Sequence, residues 1–197
     1  MTQKPIARLL PKYLFLILLP LVTACSHHPS PLGKPLPDLS YDYLNPYLVL
    51  DGRVEVRQSF KPDDHTAQAA KNFVIAPDKL IYRYAMNRFV VEEKLPLRMM
   101  FDIRRATLRQ RFVEKNPIGF LTGDNAEFYT LDILVALSEV TPAGQVKAPY
   151  TISLVRELRL AENLSLSQRE FREFEFLEKV MSDIDRGVND ILKNKMH

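Results

Sequence analysis

Apolar residues change their spacing several times along this chain, and each change marks an element. Between Tyr47 and Phe60, Leu48, Leu50, Val54 and Val56 share one parity, while Asp51, Arg53, Glu55 and Arg57 take the other. A period of two is expected of a half-buried strand. Gly52 inside the run predicts a bulge or bend. Residues 61–76 are polar and read as a loop. A helix is predicted from Pro77, with Asp78 in its first turn, both favoured at a helix start. Leu80, Ile81, Tyr84, Ala85 and Phe89 recur at helical spacing, and the helix should fade near Glu93, before Pro96.

The next pattern, Leu97 to Val113, is again a strand, but its parity changes midway. Met99, Phe101 and Ile103 lie on one parity, and Ala106, Leu108 and Phe112 on the other. A one-residue slip would turn half the strand inside out, so a bulge is predicted at Arg104–Arg105. After a loop, Tyr129, Leu131, Ile133, Val135 and Leu137 alternate with polar residues, and Tyr150 to Leu160 forms a last strand beyond a turn at Thr141–Gln145. Ser167 and Glu170 are spaced as a capping box. Behind them Phe171, Phe174, Leu177, Met181, Ile184, Val188 and Ile191 step by three and four. That stripe predicts a helix of about 25 residues, roughly 38 Å long.

The order is β-α-β-β-β-α. The fold class expected is α+β: a four-stranded, largely antiparallel sheet with two helices packed on one face.

The first 46 residues follow none of these patterns. Lys4, Arg8 and Lys12 form a basic start, Tyr13 to Val22 an apolar run, and Thr23–Ala24 a small-residue exit. This is the layout of a secretory signal peptide over residues 1–24. The apolar run is about half the length a membrane-spanning helix needs. The run ends at Cys25, the chain's single cysteine. One thiol cannot form an internal disulfide. The motif "LVTAC" resembles the bacterial lipobox, and the resemblance implies a diacylglyceryl thioether on Cys25, cleavage before it and acylation of the new amino end. With Ser26 next, it also implies transfer to the outer membrane, on its periplasmic face. Several acyl chains make such attachment effectively permanent. Residues 25–46 carry Pro29, Pro31, Pro35, Pro37 and Pro46 and read as an extended tether. The folded domain is expected over 47–197.

Charge changes the picture once the leader is set aside. The whole chain has 27 basic and 24 acidic residues. Removing Lys4, Arg8 and Lys12 leaves 24 against 24, so the mature chain is formally neutral and gives no ground for a nucleic-acid partner. Glycines are six and form no phosphate-binding loop. Asp63, Asp64 and His65 are adjacent in the 61–76 loop, and His27–His28 lie in the tether. Both groups read as solvated, so no metal and no cofactor are expected. No nucleophile is paired with a base, and an enzyme is not expected.

Two surfaces remain as candidates. Arg105, Arg109 and Arg111 share a strand face with Thr107. They are either the solvated side of a one-sided sheet, with counter-charges from Asp132, Glu157 or Glu127, or a strip for an anionic partner. The loop "PIGFLTGDN", Pro117–Asn125, sets Ile118, Phe120 and Leu121 close together. It is longer than a hairpin turn needs. It is either a contact surface for a partner or an apolar cluster under the sheet edge.

With tether and element order in view, the chain resembles small proteobacterial lipoproteins that assist lipopolysaccharide export (the LptE-like proteins). Residues 47–193 resemble more closely a group of uncharacterised proteobacterial lipoproteins, through "YRYAMNRF" (82–89), "FDIRRATLRQ" (101–110), "EFYTLDILVAL" (127–137) and "LVRELRLAENLSLSQRE" (154–170). The resemblance implies a non-enzymatic, lipid-anchored periplasmic protein that assists envelope assembly or lipid transport by contacting an envelope partner, such as an outer-membrane β-barrel. The alternatives are an auxiliary lipoprotein of an ABC-type lipid transporter and a structural lipoprotein with no transport role.

Overall fold

The computed structural model describes residues 39, 41, 43–47, 52–90, 92, 94–113 and 125–194. Cys25 and the loop residues Ile118, Phe120 and Leu121 lie outside the described residues. Four strands, β1 (Arg53–Gln58), β2 (Leu97–Val113), β3 (Ala126–Glu139) and β4 (Tyr150–Ala161), form one sheet in the order β1-β2-β3-β4. β1 and β2 run parallel, and the other two pairings are antiparallel. The parallel pair follows from its long helical connection, since parallel neighbours need a crossover.

Among the described residues three helices accompany the sheet, not the two expected: α1 (Asp64–Lys71), α2 (Pro77–Arg88) and α3 (Leu166–Asn194). The order is therefore β-α-α-β-β-β-α. α1 occupies part of the predicted 61–76 loop. Its only buried residues are Thr66 and Ala69, so it lacks the apolar stripe that would announce it. It is set instead by its ends. Asp63 caps it by accepting from the Thr66 backbone N–H at 2.7 Å, and Asp64 and Lys71 suit the two poles of the helix dipole. α2 begins at Pro77 as predicted but ends at Arg88, earlier than expected. Phe89 has turned to extended backbone and bridges to Tyr47.

α3 starts two residues earlier than predicted. The pattern of serine followed three residues later by Gln or Glu occurs twice, at Ser165–Gln168 and at Ser167–Glu170. The first forms the cap: Ser165 N–H donates to Gln168 Oε1 at 2.9 Å, and Gln168 N–H to Ser165 Oγ at 3.3 Å.

The β2 register with β3 shifts between Ile103 and Arg105, leaving Arg104 as the bulge residue. Beyond it Ala106 and Leu108 return to the face already used by Met99, Phe101 and Ile103, and all five are buried. These side chains meet Leu131, Ile133, Val135 and Leu137 from β3. Leu80, Ile81 and Tyr84 of α2 and Leu177, Met181, Ile184 and Val188 of α3 close the same core. The helices thus cover one face of the sheet. The core also reaches upstream of Tyr47: Leu39 and Tyr41, in the stretch expected as tether, are buried in it.

Candidate functional site: a cationic groove beside the edge strand

Charged side chains are drawn inward around Asp185 and around Arg169, and both groups are satisfied internally. The first centres on Asp185 of α3. Its Oδ1 accepts from Tyr84 Oη at 2.7 Å, Tyr47 Oη at 3.0 Å and Arg88 Nε at 3.1 Å. The Arg88 guanidinium lies 4.0 Å from the centre of the Tyr47 ring and donates to the Asn45 carbonyl. Burial, followed by Asp185, holds the Tyr84 phenol far above its ordinary range, so it stays a donor. This knot ties residues 45–47, α2 and α3 together.

The second group sits between β3 and α3. Arg169 pairs with Glu127, which also accepts from Tyr129 Oη at 3.0 Å and Gln110 Nε2 at 3.2 Å. The Arg169 hydrogen bond holds the Glu127 carboxyl below the usual carboxylate range. Glu173, one turn on, accepts from the Val74 backbone N–H at 2.8 Å and lies 3.6 Å from Arg169. Burial pushes Glu173 up to about 7. One guanidinium faces two carboxyls, and the drier one gives up its charge first.

The predicted arginine strip lies on the sheet face away from the helices. Arg105 pairs with Asp132 at 3.0 Å. Arg111 pairs with Glu157 at 3.7 Å and lies over the Phe128 ring. Glu127 is on the opposite face and serves Arg169 instead. Arg109 is exposed and its charge reaches Asp63 at the start of α1. Two of the three arginines therefore have local counter-charges.

A different basic surface is formed where β4 passes α3. β4 is the last strand of the sheet, and α3 lies along it. Gly187 permits the approach, since a Cβ there would stand 3.0 Å from Ile152 Cδ1. Further along, the two elements part and leave a groove of about 800 Å³. Leu158, Leu164, Phe176 and Val180 give it an apolar floor. Its cations are Arg156, Arg159, Arg172, Lys179 and Arg186, and its acids are Glu157, Glu175 and Asp183. Each acid is already engaged: Asp183 with Arg156 at 2.8 Å and Arg186 at 3.4 Å, Glu175 with Arg172 at 3.2 Å, and Glu157 with Arg111. Arg159 and Lys179 have no ion-pair partner among the described residues. Lys179 stands beside the apolar floor, whereas Arg159 shares the strand parity of Glu157 and belongs to the sheet face away from the helices; an apolar floor beside an unpaired cation suits an amphipathic anionic ligand.

No protein-family model matches this chain, and no curated protein matches it. Solved structures similar to it include uncharacterized lipoprotein B from Nitrosomonas europaea, with 14% identity and a TM-score of 0.41 over 82% of this chain and 92% of that one. Another is a minor lipoprotein from Acinetobacter baumannii, with 14% identity and a TM-score of 0.32 over 72% of this chain and 89% of that one. At these scores neither likeness assigns an activity or a partner.

Sequence patterning missed the groove because its residues come from two elements distant in the chain. The signal was present in part: Arg172, Lys179 and Arg186 recur every seven residues on α3, two turns apart. Among the described residues no group of three or more His, Cys, Asp or Glu is placed to hold a metal ion, and no helix is long and apolar enough to cross a membrane.

Proposed function

We propose that this chain is a lipid-anchored, non-enzymatic protein of the bacterial outer membrane, held at the periplasmic face by acyl chains on Cys25. Its body binds an envelope partner and so assists envelope assembly or the transport of lipid or lipopolysaccharide. The observation that carries the reading is "LVTAC" at the close of a basic-then-apolar leader, with Cys25 the only cysteine in the chain. The fold supports a binding role. Its buried charges are spent on joining elements, as at Asp185 and Arg169, while the groove keeps Lys179, without an ion-pair partner among the described residues, beside an apolar floor. That is chemistry for recognition, in which desolvated apolar contact gives affinity and charge selects the partner.

The test is in-cell cross-linking followed by purification of the lipidated chain from detergent-solubilised envelope. A stoichiometric outer-membrane protein partner is expected. Recovery of an ABC permease would shift the role to an auxiliary subunit of a lipid transporter. Recovery of no partner would reduce it to a structural lipoprotein.

A further inference from the structure

We propose that the sheet face away from the helices docks onto the anionic phospholipid headgroups of the membrane that holds Cys25, with its arginines against the phosphates. The proposal rests on the lipid anchor above and adds a second, reversible contact with the same membrane.

The charge of this face is uneven. β2 turns Arg98, Arg104, Arg105, Arg109 and Arg111 to it. The bulge contributes directly. Ile103 and Ala106 on either side are buried in the core, so Arg104 and Arg105 stand together on the open side. Arg57 of β1 faces the same way opposite Asp102, and Arg159 of β4 lies across from Phe128. The acids of the face are Glu55, Asp102, Asp132 and Glu157. Each is paired with an arginine of the same face: Arg57, Arg104, Arg105 and Arg111 in turn. Arg98, Arg109 and Arg159 have no ion-pair partner among the described residues. The strands themselves contain no lysine. Arginine is the cation whose planar fork matches a phosphate.

The spread of the charge selects the occupant. Arg98 and Arg111 stand at opposite ends of β2, roughly 40 Å apart, so a single small anion meets only one end. A stable protein interface has a centre depleted of charge. Here the centre holds Asp102, Arg104, Arg105 and Asp132. A second copy of the chain would set arginines against arginines. A bilayer surface offers phosphates along the whole length, and each arginine near it adds to the attraction. The anchor supplies proximity. Leu39 is already packed in the core, and the 14 residue steps from Cys25 to Leu39 span at most about 50 Å. An acylated Cys25 therefore keeps the body at high effective concentration beside its membrane.

The test uses the full lipidated chain reconstituted into vesicles. With Cys25 acylated, an introduced cysteine is the only free thiol. It takes a fluorophore at Val155→Cys on the open face or at Tyr82→Cys on the exposed side of α2. Quenching by lipid spin-labelled at its headgroup reads which position lies at the bilayer. With phosphatidylglycerol in the vesicles, quenching is expected at Val155→Cys and not at Tyr82→Cys. It should fall in phosphatidylcholine alone, and when salt is raised to about 0.5 M. Arg109→Gln with Arg159→Gln removes two exposed arginines without stranding an acid. The pair should lower the ratio of docked to undocked chain roughly fivefold per arginine. Lys179→Gln, on the other side of the sheet, should leave the ratio unchanged. Equal quenching at both labels, indifference to phosphatidylglycerol or salt, or an equal loss with Lys179→Gln would overturn the proposal. So would cross-linking from Val155 in cells that captures a protein and no lipid. If acyl labelling of Cys25 succeeds and quenching fails, the docking alone is lost and the anchor stands. If acyl labelling fails, the anchor is lost and the proposal with it.

Discussion

Glu173 shows how burial decides the charge of a residue that has a cation within reach. Arg169 is committed to Glu127, and Glu173, 2% exposed, is left with one backbone donor and a distant guanidinium. Its carboxyl is held at about 7, above its unfolded value of 4.5. The sign follows by linkage. A carboxyl raised by folding costs nothing below the unfolded value, and its full cost is present once pH exceeds the folded value. The wild-type chain should therefore lose stability between pH 5 and pH 8 through this residue. Glu173→Gln should remove that loss, so the stability difference between variant and wild type shifts by about 1–3 kcal/mol in the variant's favour over that interval. Glu127, lowered by folding, acts with the opposite sign at lower pH, but is common to both proteins and cancels. Urea unfolding at the two pH values reads the difference. Parallel pH profiles would mean that Glu173 is ionised throughout.

At the scale of elements, Gly52 carries the clearest prediction. A Cβ at this position would stand 2.7 Å from the Pro96 carbonyl oxygen, a backbone atom that β2 holds in place. Gly52→Ala should destabilise the domain by about 1–3 kcal/mol through forced displacement of β1 from β2. Gly144, at φ +79° with open space around it, is the comparison, since Gly144→Ala should cost only about 1 kcal/mol of backbone strain. Thermal or denaturant unfolding of the pair measures both, and a neutral Gly52→Ala would contradict the close approach. The bulge at Arg104 was legible in the sequence because a parity change has few physical explanations, and the bend at Gly52 because a glycine inside a strand pattern marks a bend or a close approach. The four strands and the long apolar helix were legible for the same reason: each buries one face and so writes its period into the chain. α1 was not legible, because a helix fixed by its cap and dipole buries too little to leave a period. The start of α3 was ambiguous because two overlapping capping patterns compete, and only packing chooses between Ser165 and Ser167.

For the whole molecule, the parts legible in sequence and in structure are complementary. The proposed anchor is a linear motif, of the kind read by enzymes that meet an unfolded segment, so Cys25 stands out in the sequence alone. The groove is a product of folding. Its walls come together only because β4 is the last strand and α3 returns along it. The Asp185 knot is of the same kind. Tyr47, Tyr84 and Arg88 each have a local reading in the sequence, as strand, core and helix end, and none of those readings points to one shared carboxylate. A body that binds envelope partners must be delivered to the envelope and kept there, so the proposed function stands first on the proposed anchor. The direct measurement is acyl-chain labelling and membrane fractionation of the wild-type chain beside Cys25→Ala. The wild type should appear as a processed, labelled protein of the outer membrane, and Cys25→Ala as an unlabelled, unprocessed precursor. A Cys25→Ala chain that is processed and reaches the outer membrane as the wild type does would contradict the account.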